Sequence, residues 1–164
     1  MLVVGCAPAP RPAAPAESEI VKIAFGSLTF PPTLLPQFQP DSGAQPVTVT
    51  GYLTLPARAG RVPAVVLAHG CSGIRGNIPP WADELESLGV AALVIDSFGP
   101  RGIVQVCTGD QQISISSRIV DAYRALAALQ RHPRGDPAHI ALMGFSQGGR
   151  VALWASYSRF RERW

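Results

Sequence analysis

The stretch that decides the fold runs Ile140-Ala141-Leu142-Met143-Gly144-Phe145-Ser146-Gln147-Gly148-Gly149. Ile140 to Met143 is a short continuous apolar run, the pattern of a strand buried on both faces. From Gln147 onward, Val151, Trp154 and Ala155 fall on one side at helical spacing. Between them, Gly144-x-Ser146-x-Gly148 reads as a sharp strand-to-helix turn with a serine at its apex. On such a turn the hydroxyl projects from the end of the sheet, and the backbone crowds neighbours two residues away on either side. Gly144 and Gly148 leave room where a side chain would clash. The helix that starts at Gln147 directs its N–H groups and positive end towards Ser146. Ser146 is therefore a candidate nucleophile. These glycines do not give the G-x-G-x-x-G of a dinucleotide site, and no Gly-Lys-Ser/Thr of a P-loop occurs.

Upstream, Pro63–Ala68 and Val90–Ile95 are two further apolar runs that read as buried strands. Glu19–Phe25 and Val47–Leu55 alternate apolar and polar residues, as half-buried strands do. Pro79-Pro80-Trp81 opens a helix with Leu85 and Leu88 on its apolar side, ended by Gly89. A longer helix carries Ile115, Ile119, Ala122, Tyr123, Leu126 and Leu129, capped by Ser114 or Ser116 and stopping before Pro133. Phe30–Pro46 and Asp96–Asp110 read as loops. The order is three strands, then helix, strand, helix, strand, helix. That predicts an α/β fold with a mostly parallel sheet and helices on both faces.

The chain has 164 residues, enough for one domain, and 47% of them are hydrophobic, enough for a core. Only 15% are charged, below the usual share of about 25%. The net charge of +3 includes a single lysine, Lys22, and the arginines are scattered apart from Arg159, Arg161 and Arg163. Nucleic-acid binders gather positive charge on one face, so no nucleic-acid partner is expected. At the N-terminus, Val3-Val4-Gly5-Cys6 resembles a bacterial lipobox, although little precedes Cys6 where a basic segment and an apolar stretch belong. On that reading Cys6 is a lipidation candidate and residues 1–18 are a signal remnant and Pro/Ala tether. The protein would then be exported, either periplasmic or anchored to a membrane by lipid. The other reading is a tail with an incidental cysteine. Cys71 and Cys107 can form a disulfide in an exported protein or remain two thiols.

A second element, Ala68-His69-Gly70-Cys71-Ser72-Gly73, directly follows the first buried strand. Trp81 with its helix, Asp96-Ser97-Phe98-Gly99-Pro100-Arg101-Gly102 and the turn at Ser146 follow in order. On these motifs the chain from about residue 47 to 160 resembles the N-terminal part of a bacterial dienelactone hydrolase family protein, within the α/β-hydrolase superfamily. The resemblance implies an α/β-hydrolase fold and hydrolysis of a small carboxylic ester or lactone through an acyl-enzyme, without cofactor or metal. Ser146 would be the nucleophile, and the backbone N–H groups of Cys71 and Gln147 would form the oxyanion hole. His69 would orient the loop. The name-giving enzymes use a cysteine nucleophile, so Ser146 moves the expectation towards general carboxylic esters. Prolyl-oligopeptidase-like peptidases share these motifs and supply a further substrate class. A catalytic thiol at Cys71 is a weaker alternative, with no paired histidine in view. Asp96 and Arg101 either meet substrate or hold the long loop through an Asp–Arg or backbone hydrogen bond.

A serine nucleophile needs a base. The superfamily runs its triad in the order Ser, then Asp or Glu, then His. No His and no Asp follows Ser146, and Glu162 lies in or just past the same helix. His69, His132 and His139 are all upstream. The expectation is a C-terminally truncated hydrolase in which residues 19–164 are the N-terminal part of the domain. The triad acid, the histidine and the later strands would be missing, the serine strand would be an exposed edge, and this chain alone would be inactive. The competing expectation is a non-catalytic lipoprotein module that keeps the fold for binding.

Overall fold

Alternation in the first two strands and continuous apolar runs in the next three fix a five-stranded sheet in the computed structural model, which describes residues 17–31, 43–108 and 112–162. Cys6 and most of the expected tether lie outside the described residues. Strand β1 (Glu19–Thr29) pairs antiparallel along the whole of β2 (Gln45–Leu55). Next come β3 (Val62–Ala68), helix α1 (Ile78–Ser87), β4 (Ala91–Asp96), a 3₁₀ turn (Gly99–Arg101), α2 (Ile115–Arg131), β5 (Gly135–Gly144), α3 (Gln147–Ala155) and a short α4 (Ser158–Arg161).

The strand order is β1-β2-β4-β3-β5. Strands β4, β3 and β5 run parallel, whereas β2 meets β4 antiparallel. The sheet is therefore mixed. The expected parallel arrangement describes the half that carries the serine, and the alternating strands extend it antiparallel on the other side. Successive side chains of a strand point to opposite faces. Along β3, Val66 and Ala68 face α2 and α3, packed with Leu93, Ile119, Ala122 and Val151. Leu67 faces the other way, against Ile78 and Ala82 of α1 with Ala92 and Val94. Each fully buried Leu, Ile or Val contributes about 1.5–3 kcal/mol. Among the described residues β5 is one of the two sheet edges, β1 being the other, and Ile140, Leu142 and Met143 are only half-buried. It starts at Gly135, five residues before the apolar run, where Gly135 pairs with Val62. Most of Gly135–His139 is exposed, so no hydrophobic signal marks the early start.

Ser114 caps α2, its hydroxyl accepting from Ser117 N at 3.1 Å. Asp96 turns the chain after β4, its Oδ1 accepting from the backbone N–H of Phe98 at 3.1 Å and of Gly99 at 2.8 Å. The turn delivers Arg101 to a buried fork-to-fork pair with Asp121 of α2, both contacts 2.9 Å. Arg101 also donates to Thr29 Oγ1 at 2.8 Å, Ser97 O at 2.8 Å and Leu28 O at 3.1 Å, and Ser27 donates to Asp121 Oδ1. So Asp96 and Arg101 do hold the long loop, but with separate partners. Arg101 ties that loop to β1 and α2 and does not face a crevice, its side chain being 5% exposed.

Removing one partner of such a buried pair leaves the other charge uncompensated, at a cost of about 3–5 kcal/mol. Asp121→Ala should lower the unfolding free energy by about that much in urea titration. A loss below about 1 kcal/mol, the value of an exposed pair, would show that the pair does not fasten the loop.

Candidate active site

Ser146 has φ 52° and ψ −116°, and among the described residues it is the one non-glycine with positive φ. Such a backbone costs about 1–3 kcal/mol and persists only where its surroundings impose it. Here they do so through backbone contact. A Cβ on Gly148 would stand 2.0 Å from the carbonyl oxygen of Ala68 and 2.6 Å from that of His69. A Cβ on Gly144 would stand 2.0 Å from Gly148 O. The turn closes with Gly148 N donating to Phe145 O at 2.8 Å, and Phe145 N donating to Ala68 O at 3.3 Å. The C-terminal end of β3 is thus pressed against the first turn of α3.

That contact also sets the loop after β3 beside the serine. A Cβ on Gly70 would lie 3.6 Å from Ser146 Cβ. Cys71, one residue on, is anchored twice. It is disulfide-bonded to Cys107 with a Cα–Cα distance of 4.9 Å, and its carbonyl accepts from Val106 N at 2.9 Å. A catalytic thiol at Cys71 is therefore ruled out, since its sulfur is in a disulfide and the thiolate is the reactive form. Cys71 N–H donates to nothing among the described residues. Gln147 opens α3, so its N–H is among the first-turn groups that have no partner within the helix. Next to this loop, a cleft of about 420 Å³ is lined by Tyr52, Ser72, Arg75, Asp96, Phe98 and Val104.

All three histidines are placed. The buried His69 donates from Nδ1 to Gly70 O at 2.8 Å and meets the Phe98 ring edge-on, with centroids 4.4 Å apart. Its Nε2 is buried without a partner among the described residues. Burial, and secondly the charge of Arg118, push its pKa down to about 4, so the ring is neutral near pH 7. His132 caps the C-terminus of α2 and accepts from Arg134 N at 3.2 Å. His139, exposed on the early part of β5, lies 2.7 Å from Asp136, whose carboxyl this hydrogen bond holds below its usual range. None of them is bonded to Ser146, and Ser146 Oγ has no hydrogen-bond partner among the described residues. Glu162 follows α4.

One residue of the site was not singled out from the sequence. Arg118 of α2 is 2% exposed, and it donates from Nη1 to Gln147 Oε1 at 2.7 Å and from Nη2 to His69 O. Its guanidinium lies 5.2 Å over the Phe98 ring. Burial lowers its pKa to about 10, which leaves it charged at neutral pH. The signal was present: Arg118 stands inside the apolar stripe of Ile115, Ile119 and Ala122, where a charge belongs only if it has a partner.

A sequence model of the Dienelactone hydrolase family matches residues 49–161. The chain is similar to thiohydrolase aneE of Aspergillus aculeatus, 31% identical over 98 residues that make up 57% of this chain and 29% of that protein. It is also similar to a protein assigned as a carboxymethylenebutenolidase in Methylorubrum extorquens, 27% identical over 119 residues, 67% of this chain and 41% of that protein. Among solved structures it is similar to the α/β hydrolase GrgF from Penicillium sp. sh18. There the TM-score is 0.58 and the identity 23%, over 84% of this chain and 41% of that chain. The chain therefore spans less than half the length of each of these relatives.

Two outcomes follow from the geometry. Gly148→Ala should lower the melting temperature steeply, because its Cβ has no space beside Ala68 O. Gly149→Ala, whose Cβ would stand 3.4 Å from Gly144 O, should change stability by no more than about 1 kcal/mol. Equal effects would show that the elbow is not packed as described. The second outcome concerns pH. The folded pKa of His69 lies below its ordinary value of 6.5, so the unfolded chain takes up the proton first. Its contribution is present above pH 6.5 and is lost as pH falls towards 4, about 3 kcal/mol in all. Urea midpoints across that window should fall in the wild type, and His69→Gln should remove this part of the fall. An unchanged slope would contradict a neutral, buried His69.

Proposed function

We propose that Ser146 of this chain, which belongs to the dienelactone hydrolase family, is the nucleophile that attacks carboxylic ester or lactone bonds once a base is supplied, and that the N–H groups of Cys71 and Gln147 hold the resulting oxyanion. The observation that carries the reading is the strained Ser146 backbone, held beside Gly70 by the contact of Gly148 with Ala68. A turn of this kind costs stability and presents a hydroxyl, which suits a nucleophile and no packing role. The relatives bear the names of a thiohydrolase and a carboxymethylenebutenolidase. Both names imply acyl transfer to water, and a butenolide is an unsaturated lactone.

The proposed reaction has two stages. Ser146 Oγ gives its proton to a base supplied from outside this site and forms a bond to the carbonyl carbon, and the carbonyl π electrons move onto oxygen; the protonated base returns that proton to the leaving alkoxide. That oxygen sits between two backbone donors fixed before the reaction begins, the arrangement that gives the largest single contribution in such sites. Collapse expels the alkoxide, or opens the lactone ring, and leaves an acyl group on Ser146. Water then releases the acid.

The serine proton has no acceptor next to it among the described residues, so the 164-residue chain by itself should turn over esters at the background rate. Imidazole in solution can stand in for the missing base. With p-nitrophenyl acetate and added imidazole, mass spectrometry should find acetyl on the Ser146 peptide. The rate should exceed that of imidazole alone by an increment that Ser146→Ala abolishes. Equal rates for the two proteins, with no acetyl on Ser146, would favour a non-catalytic module. Turnover without imidazole that depends on Ser146 would overturn the inactivity of the isolated chain.

A further inference from the structure

Arg118 is a buried guanidinium with no carboxylate in direct contact, since Asp121, the nearest acid on its own helix, makes its ion pair with Arg101. Burying a charge without an ion-pair partner is expensive. What it does contact is informative. One arm of the fork donates to the side chain of Gln147, the residue after the nucleophile, and the other donates to the carbonyl of His69. These contacts lie on the two segments that flank Ser146, the loop carrying Gly70 and the start of α3. Gln147 is itself one donor residue. His69 is two residues before the other, Cys71, with Gly70 beside Ser146 between them.

We propose that Arg118 is the positioning residue of the oxyanion hole: a single planar fork that fixes the Cys71 loop and the start of α3 relative to each other and places a positive charge behind the two donors. The proposal rests on the nucleophile reading above. A guanidinium fits this task because its donors are held in one plane, so two acceptors on different segments are spaced by the group itself. A lysine carries the same charge on a single flexible head and can satisfy only one of the two with defined direction. The charge acts across a low-dielectric interior, where it favours negative charge on the substrate oxygen. Burial first, and then this same charge, disfavour protonation of His69, whose Nδ1 lies 3.3 Å from Nη2. The ring therefore stays neutral and leaves the positive end of the site to Arg118. On the far side the guanidinium packs over Phe98, which also closes on His69. The fork is thus held by two acceptors and an aromatic face.

The test reads the oxyanion hole through the acyl group itself. Wild type, Arg118→Lys, Arg118→Met and Gln147→Ala are acetylated with carbonyl-¹³C p-nitrophenyl acetate in imidazole, the imidazole is removed, and isotope-edited infrared spectra are recorded. In the wild type the acetyl carbonyl band should stand at lower wavenumber than in the unfolded acyl protein, because two donors polarise it. In Arg118→Met the band should return towards the unfolded position, and acetylation should slow about 10²-fold, the range for loss of one oxyanion donor. Arg118→Lys and Gln147→Ala should lie between. Gln147→Ala, which removes a single side-chain contact, keeps the test decisive where Arg118→Met does not fold. Variants that melt earlier but keep the wild-type band and acetylation rate would overturn the proposal and leave Arg118 a purely structural residue. A wild type that takes no acetyl on Ser146 would overturn the nucleophile reading, and this proposal with it.

Discussion

The organising constraint is the approach of two backbones. At the end of β3 the carbonyls of Ala68 and His69 come so close to the start of α3 that only glycine fits at position 148. Gly144 faces the same restriction from Gly148 on the other side of the turn. With both glycines in place the turn can close this tightly, and Ser146 at its apex takes positive φ. The strain is small beside the burial that holds the parallel strands and both helix layers together. The sheet can therefore sustain an exposed, pre-aimed hydroxyl at its edge. The loop carrying Gly70 and Cys71 is pinned by the same contact, so Gly70 lies directly beside Ser146.

A second layer of order is polar and buried. Arg101, Asp121, Ser27 and Thr29 lock the loop after β4 to β1 and α2. Three positions earlier on the same helix, Arg118 reaches the carbonyl of His69 and the side chain of Gln147. The disulfide between Cys71 and Cys107 closes the remaining side of the loop. Helix α2 thus serves two ends: its apolar stripe fills the core, and its two buried charges, Arg118 and Asp121, secure the loops after β3 and β4.

The parts of this architecture written in local pattern were legible in the sequence. The apolar runs at Pro63–Ala68, Val90–Ile95 and Ile140–Met143 became β3, β4 and the core of β5, and the spacing from Ile115 to Leu129 became α2. The glycine-serine turn was legible because its steric demand falls on the residue types themselves. The antiparallel attachment of β2 to β4 was not legible, since pairing direction depends on where the chain travels between strands and leaves no mark within them. Arg118 and Asp121 were missed for a different reason. Each pairs with residues 20 or more positions away, so their sequence neighbours carry only the anomaly of a charge in an apolar stripe. The early start of β5 was missed because Gly135–His139 is held by backbone pairing and not by burial.

The most direct test of the central claim is a crystal structure of the chain, in imidazole to take the serine proton, with a methyl trifluoromethyl ketone, which forms a tetrahedral adduct with a serine hydroxyl and places an oxyanion where the reaction would. The account predicts a bond from Ser146 Oγ to the carbonyl carbon. The adduct oxygen should lie about 2.7–3.1 Å from both the Cys71 and Gln147 nitrogens. An adduct on Ser146 whose oxygen faces solvent, or no adduct at Ser146, would contradict it.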